Sequence, residues 1–334
     1  MKNILTNSSA AFVLGMTLST CGFDDLKNNP PVTPLPPLYN WSSQNSQSNA
    51  KLYDVFFVSN SQGWVVGESL TLLATTNGGS NWPQVPTNSI VRDLRSVFFI
   101  DSQTGWMTGG SDANPPDGRV FISKMGGAYP TQQDKVDRPL NTVFFLDENN
   151  GWAAGDSSIL IHTDNGGMSW SKSAIGTNDK IFDLHFFTSE MGWAATDQGG
   201  IYRTKDGITW KKEDVGSASD VRAIHFVDTL HGWACGSGNT IFRRQLDLTN
   251  NVIWITSTIA GAPAGAVWHD IFFIDQQKGW VVGSQGQVYR STDGRTTWTQ
   301  ETAGATGDFN AIFMVSSAHG WIVGDNGNIL TYTP

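Results

Sequence analysis

Cysteine, histidine and cationic side chains are all scarce in this sequence, and each scarcity excludes a class of protein. The 334 residues include two cysteines, Cys21 and Cys235, which are too few for a disulfide framework. No two of the six histidines have the local spacing of a zinc site. Lys and Arg number 21 against 30 Asp and Glu, which gives a net charge of −9. Because duplex binding needs clustered cations, we expect no nucleic-acid partner.

Catalytic motifs are missing as well. The sequence has no Gly-x-Ser-x-Gly elbow and no phosphate-binding loop. Glutamate is scarce, so a pair of catalytic carboxylates is not evident. We therefore expect no cofactor, no metal and no enzyme activity.

The N-terminal segment resembles a bacterial lipoprotein signal. An apolar stretch from Ala10 to Leu18 is too short to span a bilayer but has the length of a signal-peptide hydrophobic region. It ends in Leu18-Ser19-Thr20-Cys21, where Thr20 departs from the small residue usual in a lipoprotein box. The resemblance implies that residues 1–20 are removed and that Cys21 is acylated. An ordinary signal peptide followed by a chance cysteine is the alternative.

Residues 21–38 are rich in proline and predict an extended tether. Several acyl chains on Cys21 would anchor the protein firmly, whereas one chain alone is marginal. We expect an exported protein that contacts a membrane only through this lipid, in the periplasm or at the cell surface. By analogy with proteobacterial sorting, Gly22 favours the outer membrane where the cell has one.

A Gly-Trp pair recurs seven times along the rest of the chain. The tryptophans of these pairs are Trp64, Trp106, Trp152, Trp193, Trp233, Trp280 and Trp321. Their successive spacings of 42, 46, 41, 40, 47 and 41 residues are typical of a propeller or a solenoid. Each pair follows a short apolar run such as Val55-Phe56-Phe57-Val58, which predicts an inner strand buried on both faces. Gly-Trp-x-x-Gly then predicts a second strand, and third and fourth strands follow.

A second repeated motif ends in another Trp. The segments 75–82, 163–170 and 291–298, and the shorter 204–210, resemble the Asp-box, a hairpin turn between the third and fourth strands of some propeller blades. In such a turn the Asn or Asp side chain caps backbone N–H groups and the glycines supply positive φ. We interpret it as a blade-closing turn remote from any site. The second unit has Tyr129 at the position of the Trp, and the fifth unit lacks the glycines between Leu246 and Trp254.

The two ends of the repeat region complete one unit. The last unit ends in residues Ile329 to Pro334, before the position at which its fourth strand would begin. At the other end of the repeat region, Trp41 precedes the first complete unit. We predict that residues 39–46 form the outer strand of the seventh blade and close the ring. Closure protects strand edges, and a solenoid would need distinct capping units that are not seen. The predicted fold is all-β: a seven-bladed β-propeller of four-stranded antiparallel blades over residues 39–334.

The Asp-boxes also resemble those of sialidases. That resemblance implies a glycosidase with an arginine triad, a Tyr–Glu nucleophile pair and an acidic Asp. In this sequence Tyr202-Arg203, Phe242-Arg243 and Tyr289-Arg290 lie on predicted third strands and lack the proline of the sialidase motif. Sialidases also have six blades. A sialidase-like glycoside hydrolase or a carbohydrate-binding propeller is the alternative function.

The repeated motifs together resemble the photosystem II stability and assembly factor family of cyanobacteria and chloroplasts. Gly63–Gly67, Gly279–Gly283 and Gly320–Gly324 are close matches, and the resemblance covers residues 39–334. It implies a seven-bladed, non-enzymatic scaffold that binds proteins through an arginine patch. Arg92, Arg95 and Arg222 could supply part of such a patch, and relatives of this type also occur in non-photosynthetic bacteria.

A ring of candidate binding residues follows from the repeat. Each inner strand is entered through a residue two positions before its first β-branched or Leu residue. These residues are Tyr53, Arg95, Asn141, Phe182, Arg222, His269 and Asn310. Sevenfold geometry predicts that they meet at one mouth of the channel, where loops from every blade converge. Two arginines, a histidine and two aromatic rings suit a peptide or an acidic protein loop. We expect a monomer with a protein or peptide partner at this face. The alternative is that these side chains only contact the water at the mouth of the channel.

Overall fold

The computed structural model describes residues 41–87 and 93–332. The predicted signal peptide, Cys21, the tether and Arg92 lie outside these ranges. Within them, no helix is both long and apolar enough to cross a membrane.

The described residues are organised almost entirely as short β-strands. In chain order these are β1 (Trp41–Gln44), β2 (Leu52–Phe57), β3 (Gly63–Gly67), β4 (Leu72–Thr75), β5 (Asp93–Phe99), β6 (Gly105–Ser111), β7 (Asp117–Ser123), β8 (Thr131–Val136), β9 (Leu140–Phe145), β10 (Gly151–Gly155), β11 (Leu160–Thr163), β12 (Ser171–Ser173), β13 (Ile181–Phe186), β14 (Gly192–Thr196), β15 (Gly200–Thr204), β16 (Trp210–Glu213), β17 (Val221–Phe226), β18 (Gly232–Gly236), β19 (Thr240–Leu246), β20 (Val252–Thr258), β21 (Trp268–Phe273), β22 (Gly279–Gly283), β23 (Val288–Ser291), β24 (Trp298–Glu301), β25 (Phe309–Ser316), β26 (His319–Gly324) and β27 (Ile329–Tyr332).

These strands form seven antiparallel sheets, which confirms the predicted propeller of seven blades. The first blade contains β2 to β4, and the next five contain consecutive groups of four strands from β5 to β24. The seventh contains β25, β26 and β27, with β1 as its outer strand.

The predicted ring closure is confirmed by the seventh blade. Strand β1 pairs antiparallel with β27, so that Trp41 lies opposite Tyr332. Trp41 is only 2% exposed, and its ring centroid lies 5.0 Å from that of Tyr332. Its indole Nε1 donates a hydrogen bond of 2.8 Å to Glu301 of the sixth blade. Residues 39 and 40 of the predicted outer strand lie outside the described ranges.

The first blade has three full strands, β2 to β4, where four were predicted. Its outer segment pairs with β4 through the single bridge between Leu73 and Gln84. Pro83 and Pro86 flank this bridge, and proline cannot donate a hydrogen bond to a β-ladder. The fourth strand of this blade is therefore reduced to one bridge.

Stacked aromatic rings join neighbouring blades. In six of the seven Gly-Trp pairs the Trp stacks on the last Phe of the next inner strand, as in Trp64 on Phe99 at 3.5 Å and Trp106 on Phe145 at 3.6 Å between ring centroids. Trp280 instead packs in one cluster with Met314. The glycine before Trp106 is required locally, because a Cβ at Gly105 would collide with the ring of Phe99 in its own blade. The inner strands are fully buried only on the faces between blades. Their other face lines the channel and is partly buried, so the prediction of burial on both faces is wrong for that face.

The Asp-box of the third blade is a turn between its third and fourth strands, as predicted. The Thr163 hydroxyl accepts a hydrogen bond of 2.8 Å from the Gly167 N–H, and the Asn165 carbonyl oxygen accepts one of 3.0 Å from the Ser169 N–H. Gly166 and Gly167 have φ of 70° and 84°, a region that disfavours other residues.

The second blade keeps this turn without its Asp or its Trp. Gly126 and Gly127 again have positive φ, and the Ser123 hydroxyl accepts a hydrogen bond from the Gly127 N–H. Tyr129 does not take the place of the Trp, because its side chain is 49% exposed while the following Pro130 is buried. Placing Tyr129 at the Trp position is therefore wrong by one residue.

Asp-box turns also connect neighbouring blades. The amide of Gln44 on β1 donates to the Gly78 carbonyl of the first blade, and the amide of Gln133 on β8 donates to the Gly166 carbonyl of the third. The turns therefore fill the space between outer strands, which supports the structural interpretation of the motif.

The fifth blade replaces the Asp-box with a buried arginine. Arg244 lies within the third strand, β19, at the position where the third strands of the first four blades and of the sixth end in Thr or Ser, and its side chain is only 1% exposed. Its guanidinium lies 5.2 Å from the ring centroid of Trp193 and 6.0 Å from that of Phe226. It donates to the Thr229 carbonyl and lies 3.7 Å from the Glu213 carboxylate.

Candidate functional site

A β-bulge at the start of every inner strand builds the channel mouth. In each blade the pairing of the first and second strands skips one residue, for example Tyr53 between Leu52 and Asp54, and Arg95 between Leu94 and Ser96. The seven skipped residues are Tyr53, Arg95, Asn141, Phe182, Arg222, His269 and Asn310. A bulge re-aims the side chain of its extra residue, and here the re-aimed residues are the predicted ring.

All seven residues line one cavity of about 410 Å³, together with Lys51, Lys180 and Asp308. The structure thus brings the predicted ring together at one end of the channel. That these residues bind a partner stays a prediction. The sequence analysis did not predict that Lys51 and Lys180 line the mouth, although each lies two residues before a predicted ring position.

Four cations of the cavity are paired with carboxylates of the same face. Lys51 lies 3.2 Å from Asp325, and Lys180 lies 2.9 Å from Asp156. The other two pairs are Arg95 with Asp112 at 2.8 Å and Arg222 with Asp220 at 3.7 Å. Asp112 is 69% exposed, so its pair with Arg95 is open to exchange with solvent or with another anion.

Amides of the ring tie adjacent blades. The Asn141 side chain accepts from Arg95 at 2.8 Å and donates to the Ile181 carbonyl at 2.9 Å. The Asn310 side chain donates to the Leu52 carbonyl at 2.7 Å. These bonds join neighbouring blades at the mouth and orient the side chains that line it.

Aromatic and imidazole rings complete the mouth. The Phe182 ring lies between Lys180 and Arg222, whose charged groups are 5.6 Å and 5.3 Å from its centroid. Burial and the Glu68 carboxylate raise the pKa of Tyr53, which therefore stays a neutral hydrogen-bond donor. Burial lowers the pKa of His269, and its Nδ1 lies 3.0 Å from the Phe309 carbonyl, which can only accept. The neutral ring therefore carries its proton on Nδ1.

Three partly buried carboxyl groups lie directly below the mouth, on Asp54, Asp183 and Asp270. Each bonds the next inner strand, as when Asp54 accepts from the Val97 N–H at 2.9 Å. Burial raises the pKa of Asp54 to about 6 and that of Asp183 to about 7, and it raises the pKa of Asp270 well above its usual range. The sequence carries a signal for these residues, because each directly follows a ring position.

Five Phe and two His side chains line the next layer of the channel, around a cavity of about 290 Å³. The two His are His185 and His225, whose ring centroids are 5.4 Å apart. Burial lowers the pKa of both, so they are neutral at neutral pH. In the part of the chain that the structure describes, no group of His, Cys, Asp or Glu could hold a metal ion.

The three arginines that were compared with the sialidase motif do not converge. Arg203 lies over Trp193 at 5.1 Å, and Arg290 lies over Trp280 at 5.6 Å. Arg243 lines a third space, between the fifth and sixth blades. An arginine triad gripping one substrate carboxylate needs all three in one cavity, and these three lie in three spaces between blades.

Comparisons with known proteins place the whole propeller in one family. A family model described as photosynthesis system II assembly factor YCF48 matches residues 35–112, 83–222 and 208–333. A search of curated proteins finds no match.

Solved structures share the fold. A structure titled "YCF48 bound to D1 peptide" is 21% identical, covers 90% of this chain and 99% of its own, and has a TM-score of 0.72. YCF48 from Cyanidioschyzon merolae is 20% identical, covers 88% of this chain and 98% of its own, and has a TM-score of 0.71. A GH74 xyloglucanase from Xanthomonas campestris is 12% identical, covers 87% of this chain and 53% of its own, and has a TM-score of 0.70.

Proposed function

The chain belongs to the family of photosystem II assembly factor YCF48, and we propose that it is a non-enzymatic propeller that holds a peptide segment of a partner protein at the channel mouth. A relative with a structure titled as bound to a D1 peptide supports a peptide as the kind of ligand. The observation that carries the proposal is the convergence of all seven bulge residues on one cavity.

The charges of the mouth suit a peptide with a carboxylate. Lys51, Arg95, Lys180 and Arg222 face one carboxyl lining the cavity, that of Asp308. Their Asp partners stand at the rim, and an exposed ion pair is worth only about 0–1 kcal/mol. A peptide carboxylate can therefore replace a rim Asp at little cost, while the guanidinium of Arg222 stays stacked on Phe182.

A binding role accounts for the channel better than a glycosidase does. The carboxyl groups below the mouth accept hydrogen bonds from backbone N–H groups of adjoining strands, as Asp183 does from Ile224 and Asp270 from Ile312. A catalytic acid or nucleophile has to face substrate with a free oxygen or proton. We therefore assign these carboxyl groups to holding the inner strands together.

Charge reversal tests the mouth. Partners captured from membranes of the source organism would be quantified by mass spectrometry for wild type and for the double variant Arg95→Glu, Arg222→Glu. We expect the double variant to lose the specific partner. The matched control is Arg295→Glu, an exposed arginine on the opposite face, which should keep it. Unchanged capture by the double variant, with its thermal stability intact, would contradict the proposal.

The anchor and location are part of the same proposal. We propose that Cys21 is acylated and that the monomeric propeller is exported and held at a membrane by that lipid. Labelled palmitate should enter the wild-type protein and not Cys21→Ser. A variant that is still labelled would locate the lipid elsewhere, and an unlabelled wild type would exclude the anchor.

A further inference from the structure

An opening between outer strands lies where the fifth blade lacks its Asp-box. It is a groove of about 850 Å³ between the outer hairpin of the fourth blade and strand β20. In the first and third blades, the corresponding space is occupied by an Asp-box turn that the preceding outer strand contacts through Gln44 or Gln133. Here β16 faces an open space instead.

Three carboxylates line this groove, those of Asp206, Glu213 and Asp214, and each accepts a hydrogen bond from the protein; Asp214 accepts one of 2.9 Å from the Gly216 N–H. Glu213 accepts a hydrogen bond of 2.7 Å from the Trp254 indole and lies 3.7 Å from both Arg203 and Arg244. Asp206 caps its own turn, accepting from the Ile208 N–H at 2.9 Å and also from that of Thr209.

The lysines of the groove have no carboxylate partner among the described residues, although the Nζ of Lys212 lies 5.9 Å from the ring centroid of Tyr202. Lys205, Lys211 and Lys212 are exposed, and within residues 41–87 and 93–332 none of them forms an ion pair. Four cations, Arg203 and the three lysines, line the groove against three carboxylates, which leaves one net positive charge in a chain whose net charge is −9.

The opposite wall is apolar and has an open strand edge. Val252 is 38% exposed on β20, and Ile208 is 76% exposed on the adjacent turn. Strand β20 has seven residues and contains neither proline nor a charged side chain, and within the described residues it pairs only with β19. Such an edge is a template for an added strand.

We propose that this groove binds an extended acidic peptide segment of a partner protein, with its carboxylates on Lys205, Lys211 and Lys212 and its apolar side chains against Val252. The site is on the Asp-box face, opposite the channel mouth, so it does not rest on the function proposed above. A second copy of this chain fits less well, because self-pairing of the groove would bring lysines against lysines. The groove is also concave, whereas a membrane surface contacts protruding residues.

Fluorescence anisotropy with a defined peptide tests the inference. The probe is a labelled octapeptide of alternating Glu and Leu, and its comparison is the same peptide with Gln for Glu. We expect wild type to bind the Glu peptide and to lose affinity as salt rises. The triple variant Lys205→Gln, Lys211→Gln, Lys212→Gln should bind it about tenfold or more weakly.

The chain offers a matched control for the triple variant. Lys124 occupies the position of Lys205 in the second blade, Lys172 that of Lys212 in the third, and Lys135 lies on outer strand β8. Changing these three to Gln alters net charge equally and should leave affinity unchanged. Val252→Asp should weaken binding independently of the lysines.

Several results would overturn the inference. These are no binding of the Glu peptide to wild type, equal binding of the Gln peptide, or equal loss in the two triple variants. Loss of peptide binding in Arg95→Glu, Arg222→Glu instead would move the site to the mouth. Dimerisation that depends on the three lysines, or binding to phosphatidylserine vesicles that displaces the peptide, would assign the groove to a second copy or to a membrane.

Discussion

At the Asp-box end of the third blade, the Thr163 hydroxyl accepts a hydrogen bond from the N–H of a glycine four residues later, and Thr75 and Ser123 do the same in the first two blades. At the mouth end, the same β-bulge recurs in every blade, but the bulged side chain differs, as with Arg95, Phe182 and other ring members. At the Asp-box end, similar side chains recur from blade to blade because they close each blade. At the mouth end, only the backbone bulge recurs, so the bulged side chains are free to vary for recognition.

At the Asp-box end of the fifth blade, Arg244 stands in place of the Thr or Ser of the first four blades and the sixth. We expect its replacement to have the largest effect on stability. Arg244→Ala removes a buried guanidinium packed on Trp193 and leaves Glu213 with weaker partners. We expect a loss of about 3 kcal/mol in the free energy of unfolding, as for breaking a buried ion pair. Urea denaturation of both proteins measures it.

The neighbouring residue is the control for this change. Arg243 precedes Arg244 on β19, is half-buried and has no ion pair or side-chain hydrogen bond within the described residues. Arg243→Ala should cost less than about 1 kcal/mol. Equal losses in the two variants would mean that Arg244 does not stand in for the missing turn.

Thr163→Val tests the recurring hydroxyl, because valine has nearly the same shape as threonine but no hydroxyl. It leaves the N–H of Gly167 without its acceptor in a buried turn, which should cost about 1–3 kcal/mol in the free energy of unfolding. Thr299→Val, on the exposed outer strand β24, should change stability by less than about 0.5 kcal/mol. If the buried variant were equally neutral, the turn would be held by its glycines alone.

Much of this contrast could be predicted from sequence. The Gly-Trp spacing predicts seven blades, and the unpaired Trp41 predicts the closing strand, because both reflect packing that repeats. The bulges could not be predicted, since a bulge is a property of pairing between two strands and leaves no motif in either one. Arg244 was missed although it stands at the position of Thr163, because buried arginines have no local pattern.

The partly buried carboxyl groups of Asp54, Asp183 and Asp270, between the two ends, predict a pH dependence. Burial raises the pKa of Asp183 to about 7, whereas an unfolded Asp ionises near its usual value, so the folded state holds protons that the unfolded state releases. The free energy of unfolding should therefore fall as pH rises from 6.5 to 8, by about 1 kcal/mol for one such carboxyl.

At lower pH, the two histidines of the channel change the free energy of unfolding with pH in the opposite direction. Burial lowers the pKa of His185 and His225, so below about pH 6.5 the unfolded state binds more protons and stability rises with pH. The carboxyl contribution is therefore measured above pH 6.5, by urea denaturation at several values. Asp183→Asn should flatten the slope there, and an unchanged slope would show that another group causes it.

The smallest effect on stability is expected where recognition is proposed. Arg222→Gln removes an ion pair with Asp220 whose partners are 34% and 35% exposed, and such pairs contribute about 0–1 kcal/mol. The free energy of unfolding should change by less than about 1 kcal/mol, well below the effect at Arg244, while partner binding at the mouth weakens. A loss near that of Arg244→Ala would show that the mouth arginine holds blades together, and the two ends of the propeller would then not differ in the way their side chains suggest.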